Sequence, residues 1–204
     1  MSARIAVFVS GGGTNLQAIL DAKARGEIKS GEIVLVCASN ENAYALTRAE
    51  NAGIETYVSQ KREGEKRKDA EKRLLDFVIG KQIDLIVLAG FLTILSADFT
   101  GNFPGKIINV HPALIPAFCG KGFYGLKVHE AVLEKGVKIT GATVHYVNEI
   151  PDGGEIIFQK AVEVYEGDTP EILQSRVMRE AEWSLLPRAV EYVSKLITSE
   201  EKNA

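Results

Sequence analysis

Three polar side chains and one run of glycines could carry chemistry in this sequence. In "IINVHPALIP", residues 107–116, an apolar run ends on Asn109 and His111. Residues i and i+2 of an extended chain point to the same side, so both side chains would face one crevice. An amide N–H and an imidazolium N–H aimed together can stabilise an oxyanion on a carbonyl under attack. The same two residues also suit a strand-end turn and a histidine held by backbone carbonyls. Asp152 lies in "PDGG", a strong turn signal that needs no function. Set beside His111, its carboxylate would raise the imidazole pKa, keep His111 protonated near neutrality and accept a proton through water. Spacing alone does not put it there.

The glycine run is "SGGGTN", residues 10–15, which follows an apolar run and opens a helical pattern. Glycines at such a place let backbone N–H groups approach a phosphate, and the helix N-terminus adds a favourable dipole. It lacks the third glycine of the dinucleotide fingerprint and the Gly-Lys-Ser/Thr ending of a Walker A loop, so a simple phosphate ester is the ligand it suggests. A tight β–α turn with Thr14 or Asn15 capping the helix explains it equally well. Among the other candidates, His129 starts an expected helix and reads as structural. His145 alternates with Val144 and Tyr146 and belongs either to the core or to the site. The charged run 61–73 reads as a solvated helix face.

The elements that must position these residues alternate in type. Buried strands are expected over 4–10, 32–39, 54–59, 83–90 and 105–111, and helices over 14–26, 42–53 and about 65–80. Continuous apolar strands alternating with helices imply a mostly parallel sheet covered on both faces. After residue 111 a glycine- and proline-rich loop leads to a helix near 127–135. Two β-like runs joined by "IPDGG" then predict an antiparallel extension. Thr169 and Pro170 open a final helix to about 198, with a break expected at Pro187.

The chain has 204 residues, 46% of them hydrophobic, enough for one core and one domain. A net charge of -3 argues against a dedicated nucleic-acid binder. No apolar run approaches the length of a membrane span, and "MSARIAVFVSGGGTN" does not read as a signal peptide. The two cysteines, Cys37 and Cys119, fit no metal spacing. A reduced, cytoplasmic protein without a metal is expected.

The segments "FVSGGGTNLQAI", "VLAGFLTIL", "INVHPALIPAF" and "GATVHYVNEIPDGGEII" occur in this order. Together they resemble the phosphoribosylglycinamide formyltransferases, folate-dependent enzymes of purine synthesis, and the resemblance covers residues 4 to about 190. It implies a single Rossmann-like α/β domain over 1–204, with a phosphate-binding half to about residue 100 and a folate-binding, catalytic half beyond. It implies Gly13, Thr14, Asn15 and Glu182 as contacts of the ribonucleotide, and Asn109, His111 and Asp152 as the catalytic trio. It implies folate contacts at Arg67, at Leu92, Thr93, Ile94 and Leu95 through their backbone, at Asn109, and at Asn148, Glu149, Ile150 and Pro151. Leu92-Thr93 stands where the family often has Met-Arg. "AEW" replaces a common Glu-His, and the spacing ahead of Glu182 fits to within one residue.

The implied reaction moves the formyl group of 10-formyltetrahydrofolate to the amine of glycinamide ribonucleotide, in a monomer or homodimer with no nucleic-acid or membrane partner. Two other readings are a formyltetrahydrofolate hydrolase and a non-catalytic nucleotide-binding module. The methionyl-tRNA formyltransferases share the "NVHPALIP" region, but the expected single domain leaves no room for their C-terminal tRNA-binding addition.

Overall fold

The apolar runs pair into one sheet because most of them are buried on both faces. The computed structural model describes residues 2–200 and has seven strands in the order β3-β2-β1-β4-β5-β6-β7. Strands β1 (Ala3–Val9), β2 (Gly31–Ala38), β3 (Glu55–Val58), β4 (Leu85–Leu88) and β5 (Ile107–His111) pair in parallel. Strands β6 (Ile139–Tyr146) and β7 (Ile156–Glu163) add the antiparallel extension. The architecture is the expected Rossmann-like, mostly parallel α/β sheet.

Helices cover both faces. They are α1 (Thr14–Ala24), α2 (Tyr44–Asn51), α3 (Arg67–Gly80), α4 (Ala97–Thr100), α5 (Leu126–Lys135), α6 (Pro170–Val177) and α7 (Trp183–Glu200). Strand periodicity divides the core. Ile5, Val7 and Val9 pack with Leu16, Ile19, Leu186 and Val190 on one side. Ala6 and Phe8 pack with Leu74, Val78 and Phe99 on the other. Phe8 also meets Phe91 edge-on at 5.2 Å, which anchors the segment leaving β4.

The strand order places the site. From β1 the chain winds outward to β2 and β3, then returns to lay β4 on the other side of β1. Diverging connections open a crevice at the carboxyl ends of β1 and β4, where α/β sheets bind ligands. The glycine run leaves β1, residues 89–95 leave β4, and Asn109 and His111 end β5, so three neighbouring strand ends face one crevice.

Two local expectations need correction. Neither Thr14 nor Asn15 caps α1: the N-cap is Gly13, at φ 70°, with no side-chain bond. The last helix does not break at Pro187, which lies inside α7. The irregularity falls earlier, in a π-helical turn over Met178–Glu182. Proline crowds the carbonyl four residues back. That carbonyl belongs to Trp183, where the wide turn ends, so the missing hydrogen bond falls at a junction of two helical registers. The short helix α4 was not anticipated; Ser96 caps it by accepting from Phe99 N–H.

Candidate active site

The glycine loop turns its carbonyls away from the crevice. Gly11 O accepts from Ala45 N, Gly12 O from Arg48 Nε at 2.8 Å, and Gly13 O from Gln17 N. A trans peptide points its C=O and the following N–H in opposite directions. The N–H groups of the loop, unpaired among the described residues, are therefore left for a ligand. Gly13 is required twice: its φ is positive, and a Cβ there would lie 2.6 Å from Ala45 Cβ.

A cleft of about 610 Å³ joins this loop to the end of β5. It is lined by Gly13, Thr14 and Asn15, by Asn109, His111 and Asp152, and by Glu182, among others. The π turn delivers Glu182, which is buried and accepts a 2.6 Å hydrogen bond from Asn15 Nδ2. Such wide turns absorb one extra residue in a helix and are frequent at functional sites. Burial pushes the Glu182 carboxyl up to about 6, against the opposing hydrogen bond from Asn15.

The polar trio does converge. His111 Nδ1 stands 3.5 Å from Asp152 Oδ2, and His111 Nε2 lies 2.8 Å from Phe118 O. A carbonyl only accepts, so Nε2 carries a proton. The turn brings Asp152 here by adopting φ 55°. Gly120 N–H then donates to Asp152 Oδ2 at 2.8 Å. Burial alone would raise the Asp152 carboxyl. Its contacts with His145, His111 and the Gly120 amide outweigh that, and it titrates below the ordinary carboxylate range.

His111 corrects one expectation. Burial lowers its pKa from the ordinary 6.5 by more than Asp152 and the Phe118 carbonyl raise it. Asp152 therefore raises the His111 pKa without offsetting the lowering by burial. Both ring nitrogens face acceptors, yet the imidazolium form that would satisfy both is opposed by desolvation.

His145, left open between core and site, belongs to the site. It pairs opposite Asn109 across β5 and β6. Its Nδ1 lies 2.8 Å from Tyr146 O and so carries the proton; its Nε2 accepts from Asn109 Nδ2 at 3.1 Å. One amide hydrogen of Asn109 is thus fixed, and the second remains for a ligand. The same Nε2 is 3.5 Å from Asp152 Oδ1. His129 is fully buried, lines the cleft, and has no hydrogen-bond partner on either nitrogen; burial and neighbouring His111 hold its pKa down at about 4.

The expected folate residues form a second wall. Leu92, Thr93, Ile94 and Leu95 face Asn148, Glu149, Ile150 and Pro151 across a narrow slot that reaches Asn109 and His145. Leu92 N–H donates to Ser10 Oγ at 2.9 Å, and Arg67 Nη2 donates to Ile94 O at 2.7 Å. Asn148 Oδ1 accepts from Ile150 N–H, which shapes the opposite loop. Arg67 lines a further pocket with Leu92–Leu95 and does not reach the trio.

Known proteins resemble the chain along most of its length. The formyl transferase family model matches residues 3–190. The chloroplastic phosphoribosylglycinamide formyltransferase of Arabidopsis thaliana is 40% identical over 87% of the chain; the chain spans 61% of that relative. Phosphoribosylglycinamide formyltransferase of Haemophilus influenzae is 36% identical over 94% of the chain and 87% of the relative. The crystal structure of glycinamide ribonucleotide transformylase 1 from Symbiobacterium toebii superposes with a TM-score of 0.88 at 38% identity, covering 95% of this chain and 88% of that one.

Proposed function

The chain belongs to the formyl transferase family, and we propose that it transfers the formyl group of 10-formyltetrahydrofolate to the amine of glycinamide ribonucleotide. One observation carries the reading. A single cleft runs from a loop with spare N–H donors to Asn109, His111 and Asp152, and a slot for a flat ring opens onto the same Asn109. An anionic ester at one end and a ring at the other would bring two substrates together at the trio. Fixing both reactants removes much of the entropic barrier to a bimolecular step.

The chemistry follows from the side chains. The ribonucleotide amine attacks the formyl carbon, and negative charge develops on the formyl oxygen. The free amide hydrogen of Asn109 donates to that oxygen. Nε2–H of His111 donates to Phe118 O, so His111 donates to substrate only when that carbonyl gives way. Phe118 sits at φ 50° in a loop rich in positive-φ glycines, a backbone state held by its surroundings. A growing negative charge beside His111 opposes the effect of burial and draws a proton onto the ring. Asp152, ionised and 3.5 Å away, is placed to pass the amine's proton to the leaving folate nitrogen through water.

Purified protein incubated with both substrates tests the reading. Tetrahydrofolate should form only when the ribonucleotide is present. Equal release without the ribonucleotide would identify a hydrolase. Binding of the ribonucleotide with no turnover would identify a non-catalytic module. The two cysteines, one buried and one half-buried, are both free, which suits a reducing compartment such as the cytoplasm.

A further inference from the structure

We infer that Arg48 is a positioning residue for the phosphate end of the ribonucleotide site, acting from behind the glycine loop. The inference rests on the phosphate reading of residues 11–15 given above. Arg48 lies on α2, outside the cleft, and its place on that helix gives no hint of a role.

Three observations converge on it. Arg48 Nε donates to Gly12 O at 2.8 Å, and Nη1 donates to Gln17 Oε1 at 2.8 Å. The guanidinium is thereby fixed between the loop and the first turn of α1, with its carbon 5.0 Å from the centre of the Tyr44 ring. Among the described residues no carboxylate forms an ion pair with it. This cation is instead held against the loop whose N–H groups are free.

The geometry assigns two effects to one side chain. Holding Gly12 O backward turns the Gly13 N–H of the same planar peptide forward, toward the cleft. The closely packed Gly13, whose missing Cβ leaves room for Ala45 and Arg48 Cδ, keeps the guanidinium near the loop. Its positive charge then adds to that of the α1 N-terminus at the place where a phosphate dianion would sit. Lys121, which does line the cleft, is exposed on a loop and has no such fixed position.

Removal of the substrate phosphate separates this role from simple support of the fold. With glycinamide ribonucleotide, Arg48→Met should raise KM for the ribonucleotide about tenfold or more, the scale of a lost charge-assisted hydrogen bond, while KM for 10-formyltetrahydrofolate stays within about twofold. With the dephosphorylated riboside the loss in kcat/KM should shrink to less than about threefold. Arg48→Lys, which keeps charge but not the fork, should fall between. Equal losses with both substrates, or no change in the ribonucleotide KM, would overturn the inference. A second measurement does not depend on turnover: inorganic phosphate should raise the melting temperature of the unaltered protein, and this rise should be much smaller in Arg48→Met. Equal rises in the two proteins would also overturn it. Absence of activity in the unaltered protein, with the phosphate effect intact, would count against the formyl-transfer reading and leave Arg48 in place.

Discussion

His145 Nε2 accepts a 3.1 Å hydrogen bond from Asn109 Nδ2, so a buried imidazole sets the direction of an amide that lines the cleft. The bond follows from register, because Asn109 and His145 are direct partners across β5 and β6. With Nδ1–H held by Tyr146 O, the neutral imidazole presents a lone pair to Asn109.

His145→Phe should therefore act through Asn109. Its kcat should fall by roughly tenfold to a hundredfold, while substrate KM values change little, as for loss of an interaction made mainly in the transition state. In an Asn109→Ala background the same substitution should add almost nothing, because groups acting as one unit are not additive. Full additivity of the two losses in a double-mutant cycle would show that His145 works independently.

The His111–Asp152 pair has a titration consequence. In the ligand-free protein His111 should titrate below 6.5, because burial outweighs the carboxylate. Asp152→Asn removes the raising influence, so the His111 resonance in NMR should titrate lower still. Turnover of the same variant should fall by roughly 10²–10⁴, the range of a lost general acid–base partner. A His111 that titrates above 6.5 in the unaltered protein would contradict the balance described.

Glu182 couples the lining of the cleft to stability. Its carboxyl is raised in the folded state from 4.5 to about 6. A raised carboxyl contributes stability that is complete below about 4.5 and lost as pH rises through about 6, so the ionised group costs the folded protein about 2 kcal/mol at pH 7. Glu182→Gln should remove that pH dependence and raise the melting temperature at pH 7, while weakening ribonucleotide binding. The difference in denaturant midpoint between the two proteins across pH 4 to 8 checks the sign. A variant less stable than the parent at pH 7 would reverse it.

Gly13→Ala introduces a methyl where Ala45 already stands, at a backbone angle that non-glycine residues avoid. It should cost about 1–3 kcal/mol in chemical denaturation and raise KM for the ribonucleotide far more than for the folate. An unchanged ribonucleotide KM would separate the glycine loop from substrate binding.

The sheet was legible because strands buried on two faces leave continuous apolar runs, as in β1 and β4. The shared direction of Asn109 and His111 was legible because strand side chains alternate with period two. Proximity of Asp152 was not, since it depends on the β5–β6 register and on a left-handed residue in a tight turn. His145 carried a signal only once that register was known. The bond from Asn15 to Glu182 crosses 167 positions and passes through a π turn that has no periodicity of its own. Arg48 was invisible for a similar reason: its partner is a backbone carbonyl 36 positions away. The expected helix break at Pro187 failed because the irregular register lies just upstream, where proline chemistry does not announce it.

Transfer of a labelled formyl group tests the central claim most directly. With 10-formyltetrahydrofolate carrying ¹⁴C in the formyl carbon, the label should appear on glycinamide ribonucleotide in step with tetrahydrofolate formed, and should fall sharply in Asn109→Ala. Label recovered as free formate, at a rate indifferent to the ribonucleotide, would contradict the account.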